Sequence, residues 1–600
     1  MKNSISILLM LLAFSKVALT QPQVVEPENE TRKQAVENWR DMGFGMFIHW
    51  GAYTRFKGKY EGLEMNKDLW GEWIMKRAGI PIPKYEQTVK TFNPDKFNPE
   101  VWAGLAKKAG MKYMVITSKH HDGFAMYHSK ASKYNIVDFS GFNRDPMKEL
   151  SDACNKQGVA FGFYYSHRAD WHAAGAAGYK GDDKSKTFDD YWKTKCIPQV
   201  DELTKNYGDL AVMWFDLGGK TPPDKAEELR NLVLKNQPLC VIDSRIGAGQ
   251  GDYLEQKDRF VPETVIETPW ETCMTFNHHW AWYPQDVYHK KAVDIIQMLA
   301  SVRSMGGNLL LNVGPDNTGR IPLVETVTLL ETGKWLNKYG DAIYSVNASP
   351  LPVFPWGRCT RKANKLYLFV FNWPADGTLF IPGLLSPVSK IYPMNFPEDN
   401  SIKSKQTELG VELTVLPEKI DSKWLDRDVT VLTLEFEEPL KTSIVRVLDH
   451  DFDNEFKAVT AEKSGALKVK NLRYSLYDVD SKIRKHEYVT RFINFEKDAE
   501  ASWTFNNETE DIFHVIVKYS LNSEKTEEEA NFVFTCAGKE YPVTLKPTCT
   551  SFGDPYVKVV VADTKIAKGR NLKLTMRMTS PDVSKDLEIV SVILKPSHLK

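Results

Sequence analysis

The chain has 600 residues, more than one domain accommodates, so we expect two or three domains. Lysine plus arginine and aspartate plus glutamate both number 78, and this balance excludes a protein that binds nucleic acid or an anionic membrane through its overall charge. The 16 Trp and 24 Tyr suit a protein that offers flat surfaces to sugars, although large cores also use them.

The first twenty residues have the pattern of a secretion signal. Lys2 precedes a largely apolar run from Ile5 to Phe14, and small and polar residues follow up to Thr20. The run is too short to span a membrane, and no later stretch is long and apolar enough to do so. No Cys lies directly after this apolar run, which argues against a bacterial lipid anchor. We therefore expect an exported, soluble protein, secreted or periplasmic.

The seven Cys residues have irregular spacing, which does not indicate a disulfide framework. Only a pairing of Cys536 with Cys549 stays open. We expect the domains to be stabilised by their hydrophobic cores.

Strand-like and helix-like segments alternate between about residues 36 and 344. The predicted strands are Gly43–Gly51, Met111–His120, Val159–Ser166, Leu210–Asp216, Leu239–Arg245, Thr264–Thr268 and Asn308–Val313, and the predicted helices are Val101–Ala109, Met147–Gln157, Val293–Met305 and Val324–Tyr339. This alternation predicts an α/β fold, a (β/α)8-like TIM barrel over residues 21–345. An open doubly wound sheet is disfavoured because polar residues end nearly every strand, not only two at a crossover point.

The pattern after residue 345 is all-β. Strands at Leu366–Asn372, Thr378–Pro382 and Val429–Phe436 predict a β-sandwich over residues 346–440 that packs directly on the barrel. A second β-sandwich over residues 441–600 is predicted from strands at Ala501–Phe505, Phe513–Tyr519, Asn531–Cys536, Tyr556–Val561 and Leu572–Met578. The acidic run Glu524–Glu529 is typical of a solvated hairpin tip.

In a parallel barrel the chemistry gathers at the carboxyl ends of the strands, because the loops there surround one axis. The segment Leu210–Asp216 is the clearest example, since six apolar residues suit a strand buried on both faces and an acid follows them. Taken alone, Asp216 is better explained as the start of a turn or a helix cap. Other strand ends and loops carry similar side chains: His49, Trp50, Glu72, Trp73, His120, His121, Asp122, Tyr165, Trp214, Arg245, Trp270 and Glu271.

This group of side chains is typical of a sugar site. Aromatic faces take the apolar face of a pyranose, while imidazoles, arginine and carboxylates bind its hydroxyls. Each member also has a purely structural explanation. Neighbouring strand residues point to opposite faces, which would place one of His120 and His121 in the wall and makes the pair a poor metal chelate. Arg245 is equally explained as a salt-bridge partner. We expect no metal and no cofactor.

Eight stretches, in this order, carry a family resemblance. They are F-I-H-W-G (47–51), E-W (72–73), S-K-H-H-D-G-F (118–124), Y-Y-S (164–166), W-F-D (214–216), W-E-T-C (270–273), G-G-N-L-L-L-N-V-G-P (306–315) and G-K-W-L-N-K-Y-G-D-A-I-Y (333–344). They resemble glycoside hydrolase family 29, the retaining α-L-fucosidases, over most of residues 36–345. The stretch L-Y-L-F-V-F-N-W-P-A-D-G (366–377) is similar to that family's C-terminal sandwich.

The resemblance implies a retaining α-L-fucosidase that acts on a fucosylated oligosaccharide or glycoconjugate. It implies that Asp216 is the nucleophile and Glu271 the acid/base, two carboxyl groups that must lie about 5–5.5 Å apart. Glu255, Glu263 and Glu267 are alternatives for the acid/base. The residues implied to line the fucose pocket are His49, Glu72, Trp73, His120, His121, Tyr165, Trp214 and Arg245.

One stretch departs from the family pattern. Where many relatives have Trp-Gly-Tyr soon after the acid, this chain has H-H-W-A-W-Y at residues 278–283, near the leaving-group side. Two other functions stay open. One is a related retaining exo-glycosidase such as an α-galactosidase, because L-fucose and D-galactose share much of their hydroxyl arrangement. The other is a non-catalytic glycan-binding relative, which the presence of both carboxylates disfavours.

The region 441–600 resembles, weakly, the carbohydrate-binding modules appended to secreted glycosidases. We expect most of its aromatic residues to be core, because a small sandwich needs large side chains to fill it. These residues are Trp503, Phe505, Phe513, Tyr519, Tyr541 and Tyr556. We predict an accessory domain whose removal leaves the cleavage of aryl fucosides within a few-fold of the full-length enzyme.

Overall fold

A computed structural model of the chain describes residues 24–64, 71–415, 429–478, 483–522, 528–548, 556–580 and 586–599. The predicted secretion signal, Cys549 and most of the acidic run at 524–529 lie outside these ranges. Cys536, the suggested partner of Cys549, is a buried free thiol. Within the described ranges, no helix has the length and apolar character needed to cross a membrane.

Eight parallel strands, β1 to β8, form one sheet in the described part of the chain. They are β1 (Phe44–Ile48), β2 (Tyr113–Lys119), β3 (Ala160–Tyr165), β4 (Leu210–Phe215), β5 (Val241–Ile242), β6 (Leu254–Glu255), β7 (Trp270–Thr275) and β8 (Asn308–Val313). Their hydrogen-bonded order is β5-β4-β3-β2-β1-β8-β7-β6. An isolated parallel bridge between Asp243 and Tyr253 connects the two edges of this sheet. The TIM-barrel-like fold is thereby confirmed.

Helices connect and surround the barrel strands. They span Glu30–Met42, Ile74–Arg77, Ile82–Val89, Pro99–Lys108, Pro146–Gln157, Phe188–Tyr191, Ile197–Asn206, Pro223–Asn236, Ala292–Ser304 and Leu323–Tyr339. Local sequence explains where two of them begin, because the side chains of Asn98 and Asp145 accept hydrogen bonds from the first-turn backbone N–H groups. Short 3₁₀ turns at Gly71–Trp73, Gly218–Lys220 and Ser244–Ile246 lie in the loops at the barrel mouth.

Six of the seven predicted barrel strands occur, and the prediction of a strand at Thr264–Thr268 is wrong. Residues 261–269 form no strand, and Val265 among them is 42% exposed. The buried strand is β7, which the sequence pattern does not predict because polar residues make up half of W-E-T-C-M-T and interrupt its apolar ones. The two-residue strand β6 was also not predicted. Trp270 and Glu271 therefore begin a strand instead of following one.

Side chains on the two faces of each barrel strand pack in different hydrophobic cores. Trp214 of β4 lies in the barrel interior with Phe47 and Tyr164, whereas its neighbours Met213 and Phe215 pack in the core between the sheet and the helices. This separation follows from the alternation of side chains along a strand. The prediction that the apolar run of β4 is buried on both faces is confirmed.

The first sandwich has two antiparallel sheets in its described residues. One contains Gly357–Lys362, Lys365–Val370, Lys390–Pro393 and Thr430–Glu435, and the other contains Thr378–Pro382, Lys403–Gln406 and Gly410–Thr414. This sandwich packs on the barrel, because Phe369 and Val431 join the barrel's outer core and the Trp335 indole donates to the Val429 carbonyl at 2.9 Å.

The described residues of the second sandwich also form two antiparallel sheets, which enclose a separate hydrophobic core. One sheet contains Asn454–Lys457, Lys468–Asp478, Ile483–Ile493, Asp511–Leu521, Val557–Ile566 and Leu587–Pro596. The other contains Glu462–Ser464, Glu500–Asn507, Ala530–Cys536, Lys539–Leu545 and Gly569–Met578. Five of the six aromatic residues expected in its core are buried, and Tyr541 is half-buried.

Candidate active site

Asp216 follows the last residue of β4 and lies at the mouth of the barrel, where three other strand ends contact its carboxylate. The Tyr164 hydroxyl donates to Oδ2 at 2.9 Å, and His121 Nε2 lies 3.4 Å from the same oxygen. Arg245 Nη1 lies 3.4 Å from Oδ1, which also accepts a hydrogen bond from the Leu217 backbone at 2.8 Å. Every one of these contacts favours the ionised carboxylate.

The electrostatic balance at Asp216 follows from these contacts. Burial by itself raises the pKa of this carboxyl group, but the hydrogen bond and charge of His121, the charge of Arg245 and the Tyr164 hydrogen bond outweigh it. The pKa of Asp216 therefore lies well below its ordinary range. Its side chain is still 15% exposed, so an incoming molecule can reach it. An accessible carboxylate that is ionised at neutral pH suits a nucleophile.

The backbone after Asp216 brings Arg245 into contact with it. Leu217 adopts a positive φ of 59°, and Gly218 follows at the start of a 3₁₀ turn. A Cβ atom at Gly218 would lie 1.8 Å from the Arg245 carbonyl oxygen, so a side chain there would push the two loops apart.

His49 and His120 lie beside each other above the barrel interior. The His120 ring stacks on Tyr164, with centroids 5.3 Å apart, and no described residue bonds its buried Nδ1. His49 Nδ1 lies 2.7 Å from Asn312 Oδ1, and the Asn312 amide donates to the Trp280 carbonyl at 2.7 Å. Burial lowers the pKa of His49 to about 4 and that of His120 well below its ordinary value. Both imidazoles are therefore neutral near pH 7.

His121 lies at the mouth together with His120, so neither residue of the pair points into the wall. Its Nδ1 lies 2.6 Å from the Ser166 hydroxyl, while its Nε2 faces Asp216. The reason is that β2 ends at Lys119, so strand alternation does not apply to the two histidines. Trp73 contacts the His121 ring edge-on at 5.2 Å.

Glu72 is a buried carboxyl group with one oxygen available. Its Oε2 accepts a hydrogen bond from the Ala281 backbone at 3.3 Å, whereas Oε1 has no hydrogen-bond partner among the described residues. Burial raises the pKa of Glu72 to about 7. A substrate hydroxyl would satisfy this oxygen, since an unpaired buried acceptor is costly.

The loop that departs from the family pattern forms a wall of the same site. His278 and His279 both bond Asp286, with nitrogen–oxygen distances of 3.0 and 2.9 Å. These contacts anchor the loop, and the ring of the next residue, Trp280, lies 5.0 Å from the His49 ring. The two histidines therefore stabilise the loop, while Trp280 faces the site.

Tyr165 does not lie at the mouth, although it was expected to line the pocket. Its hydroxyl donates to Gln199 at 2.9 Å and the Lys119 ammonium lies 4.7 Å from its ring, so it points toward the surrounding helices. Because side chains alternate along β3, the preceding residue, Tyr164, reaches Asp216 instead. Tyr164 also stacks on Trp214, at 5.4 Å.

Glu271 lies at the opposite end of the barrel interior. It is the second residue of β7, is fully buried, and accepts hydrogen bonds from the hydroxyls of Tyr113 and Tyr253. Thr275, at the carboxyl end of β7, is four residues further on, about 13 Å along the strand. The structure therefore does not bring Glu271 to the mouth beside Asp216.

Glu271 is paired in register with another buried acid, Glu255 of β6. Burial raises the pKa of both groups, and the charge of Glu271 raises that of Glu255 further. Glu255 Oε1 lies 3.8 Å from Arg245 Nη2, but its side chain is fully buried. The other two candidates for the acid/base lie away from Asp216, because Glu263 pairs with Lys457 at 2.8 Å and Glu267 is exposed outside any strand.

Asp258, which the sequence prediction did not include, lies at the mouth beside Asp216. It comes three residues after β6, and its Oδ1 lies 2.5 Å from Arg245 Nη2. Since Nη1 of the same guanidinium contacts Asp216, one arginine holds both carboxylates at the mouth. The Asp258 side chain is 34% exposed. The signal was missed because β6 has only two residues, so no strand end was predicted there.

Comparison with known proteins identifies the family. A family model described as alpha-L-fucosidase matches residues 11–341. The chain belongs to the α-L-fucosidase family. This α-L-fucosidase family, glycoside hydrolase family 29, consists of enzymes that hydrolyse glycosidic bonds, so the protein is a glycoside hydrolase.

Individual relatives support the assignment. The plasma alpha-L-fucosidase of Homo sapiens is 31% identical over 370 residues, which are 57% of this chain and 78% of that protein. The alpha-L-fucosidase of Branchiostoma floridae is 30% identical over 410 residues, 62% of this chain and 87% of that protein. The crystal structure of alpha-L-fucosidase from Vibrio sp. strain EJY3 has a TM-score of 0.76 and 28% identity, and covers 96% of this chain and 99% of that one.

Proposed function

We propose that this protein removes terminal α-L-fucosyl residues from fucosylated oligosaccharides or glycoconjugates with retention of configuration. The observation that carries the proposal is the pair of carboxylates at the barrel mouth, Asp216 and Asp258, bridged by Arg245. A retaining glycosidase needs two such groups about 5–5.5 Å apart across the anomeric carbon. Family membership favours a fucosidase over an α-galactosidase or a non-catalytic relative.

In the first step Asp216 attacks the anomeric carbon of fucose. The bond from that carbon to the leaving oxygen breaks, a bond to an Asp216 oxygen forms, and Asp258 gives its proton to the leaving oxygen. In the second step Asp258 takes a proton from water, which displaces Asp216 and releases α-L-fucose. Arg245 contacts both carboxylates, so it compensates the remaining charge while Asp216 is esterified.

This assignment replaces Glu271 with Asp258 as the acid/base. Glu271 lies in the barrel floor under a layer of interior side chains and is bonded to two tyrosine hydroxyls. A general acid must come within hydrogen-bond reach of the leaving oxygen, which the mouth position of Asp258 allows.

The fucose hydroxyls have partners ready at the mouth. Glu72 Oε1 and His120 Nδ1 are buried polar atoms without a hydrogen-bond partner in the described residues. Binding of a sugar hydroxyl to each would recover the cost of leaving them unpaired. Trp73 and Trp280 provide aromatic surface beside these atoms.

The stereochemistry of the first product tests the proposal. Proton NMR of a reaction with an aryl α-L-fucoside should show the α-anomer of fucose first, followed by slow mutarotation. If β-fucose appears first, the enzyme inverts configuration and the covalent role of Asp216 is excluded.

We also propose that the protein is exported. Support comes from the sequence pattern of residues 1–20, a basic residue followed by an apolar run and small residues. N-terminal sequencing of the protein from its native cells should begin near Gln21. A cytoplasmic protein that retains Met1 would contradict the proposal.

A further inference from the structure

The loop that carries Asp258 is contacted by the second sandwich. We call residues 256–263 the acid loop. The Lys257 ammonium donates to the Asn471 carbonyl at 2.7 Å and to its side-chain oxygen at 3.1 Å. Phe260 contacts Tyr488, with ring centroids 6.5 Å apart, and Lys257 lies 5.0 Å over the same Tyr488 ring. The acid loop is therefore held from outside the barrel.

Both contacting residues of the second sandwich lie on one β-hairpin. Asn471 belongs to the strand Lys468–Asp478 and Tyr488 to the strand Ile483–Ile493, and these two strands pair directly. We call this pair of strands the distal hairpin. At the end of the acid loop, Lys457 of the same sandwich pairs with Glu263 at 2.8 Å.

Asp258 lies between the two residues that the distal hairpin contacts, Lys257 and Phe260. The hairpin consequently borders the mouth on the side of Asp258. The electrostatic environment agrees with this placement: burial raises the pKa of Tyr488, and the charge of Asp258 raises it further. Arg473, an exposed residue of the hairpin, pairs in register with Tyr488 on the neighbouring strand, so the two side chains lie on the same face. Burial lowers the pKa of Arg259 in the acid loop, and the charge of Arg473 lowers it further.

We propose that Tyr488 and Arg473 of the distal hairpin bind the sugar residue to which fucose is attached. This inference rests on the proposed function, in which Asp258 protonates the oxygen between fucose and that sugar. Any group bonded to this oxygen must extend past Asp258, where the hairpin borders the mouth. A half-buried tyrosine ring suits the apolar face of a pyranose, and a guanidinium suits its hydroxyl or acidic groups.

The proposal changes the role expected for the second sandwich. Instead of an accessory domain that binds carbohydrate at a distance, it completes the site for the leaving-group sugar. We therefore expect this domain to select among fucosyl linkages, because the linkage decides where the second sugar meets the hairpin. The kcat/KM for a substrate without a leaving-group sugar should not depend on the side chains of the hairpin.

The test compares two kinds of substrate on full-length variants. One is the best-cleaved member of a series of α1,2-, α1,3-, α1,4- and α1,6-linked fucosyl disaccharides, and the other is α-L-fucosyl fluoride, which has no leaving-group sugar. Tyr488→Ala should lower the ratio of kcat/KM for the disaccharide to kcat/KM for the fluoride about tenfold, or about 1.4 kcal/mol. Arg473→Ala should lower the same ratio.

Tyr541→Ala is the matched control, because Tyr541 is a half-buried tyrosine of the same sandwich whose hydroxyl bonds Thr564 at 2.7 Å. Its ratio should equal that of the wild type. Loss of folding in Tyr488→Ala would lower kcat/KM for both substrates together. If Tyr488 only positioned Asp258, kcat/KM would fall equally for the disaccharide and for methyl α-L-fucoside, whose leaving group needs protonation but contains no sugar. That result, or an unchanged ratio in Tyr488→Ala and Arg473→Ala, overturns the inference. If Tyr488→Ala does not fold, Arg473→Ala decides. Failure of the wild type to hydrolyse fucosyl fluoride would instead refute the proposed function itself.

Discussion

The mouth and the floor of the barrel interior both hold carboxyl groups, but in opposite electrostatic conditions. At the mouth, Asp216 has Arg245, His121 and the Tyr164 hydroxyl around it. At the floor, Glu271 has two tyrosine hydroxyls and lies beside a second acid, Glu255. Burial raises the pKa in both places, yet the pKa of Asp216 lies below its ordinary range and that of Glu271 above it.

The difference shows that the charged neighbours, and not burial, decide which carboxyl group is an anion. Removal from water disfavours a carboxylate at either end. Only the mouth supplies a cation and several donors that outweigh this cost, so it presents a nucleophile. At the floor, no described cation contacts Glu271, and its hydrogen bonds do not outweigh burial. The charge of Glu271 in turn raises the pKa of Glu255.

The largest expected effect comes from removing the anion at the mouth. Asp216→Gly should lower activity on an aryl α-L-fucoside by roughly 10⁴-fold, the scale seen when an essential catalytic group is deleted. Azide fits the vacated space and attacks the same face of the sugar, so it should restore turnover and give β-fucosyl azide, detectable by NMR. Full activity without azide would exclude the nucleophile role.

The next effect separates the mouth from the floor directly. Asp258→Ala should lower kcat/KM about 10²–10⁴-fold for fucosides with poor leaving groups and much less for activated aryl fucosides, which need little acid assistance. Azide should then give the α-configured product. Glu271→Gln is the comparison variant. If the loss of activity depends on the leaving group in Glu271→Gln but not in Asp258→Ala, then Glu271 is the acid/base and Asp258 is not.

Removing the Arg245 guanidinium should raise the pKa of Asp216 toward the raised pKa values of the acids at the floor. Without Arg245 the carboxylate of Asp216 is less stabilised, so its pKa rises and protonation begins at higher pH. In Arg245→Ala the acidic limb of the kcat/KM profile should move upward by about one to three pH units. Fucosyl fluoride is the suitable substrate, since its leaving group needs little protonation. An acidic limb that stays in place would show that Arg245 does not control Asp216.

The smallest effect concerns stability at the floor. Burial raises the pKa of Glu271 from its ordinary 4.5 to about 7 in the folded protein. Between these values the folded state keeps a proton that the unfolded state releases, so this group lowers stability as the pH rises through the window. The side chain in Glu271→Gln cannot ionise. The difference in unfolding temperature between this variant and the wild type should therefore shift in favour of the variant as the pH is raised from 4.5 to 7. A difference that does not depend on pH would contradict the assignment.

Much of the barrel could be predicted from local patterns. Apolar runs such as Leu210–Phe215 identify strands because a strand buried on both faces has no polar side. The position of Asp216 at a strand end followed from the same run. The pattern failed at β7, whose polar residues Glu271, Thr272 and Thr275 are all buried, and at the two-residue strand β6.

What the sequence by itself determined is the class of fold and the strand end that carries Asp216, because burial is encoded in runs of neighbouring residues. Only the tertiary structure decided that Tyr164 and not Tyr165 contacts Asp216, that Glu271 lies at the floor, and that Asp258 meets Arg245. These outcomes depend on strand register and on loops that meet across the barrel. A shift of one residue in register reverses which side chains face the interior, and no local pattern specifies which loops meet.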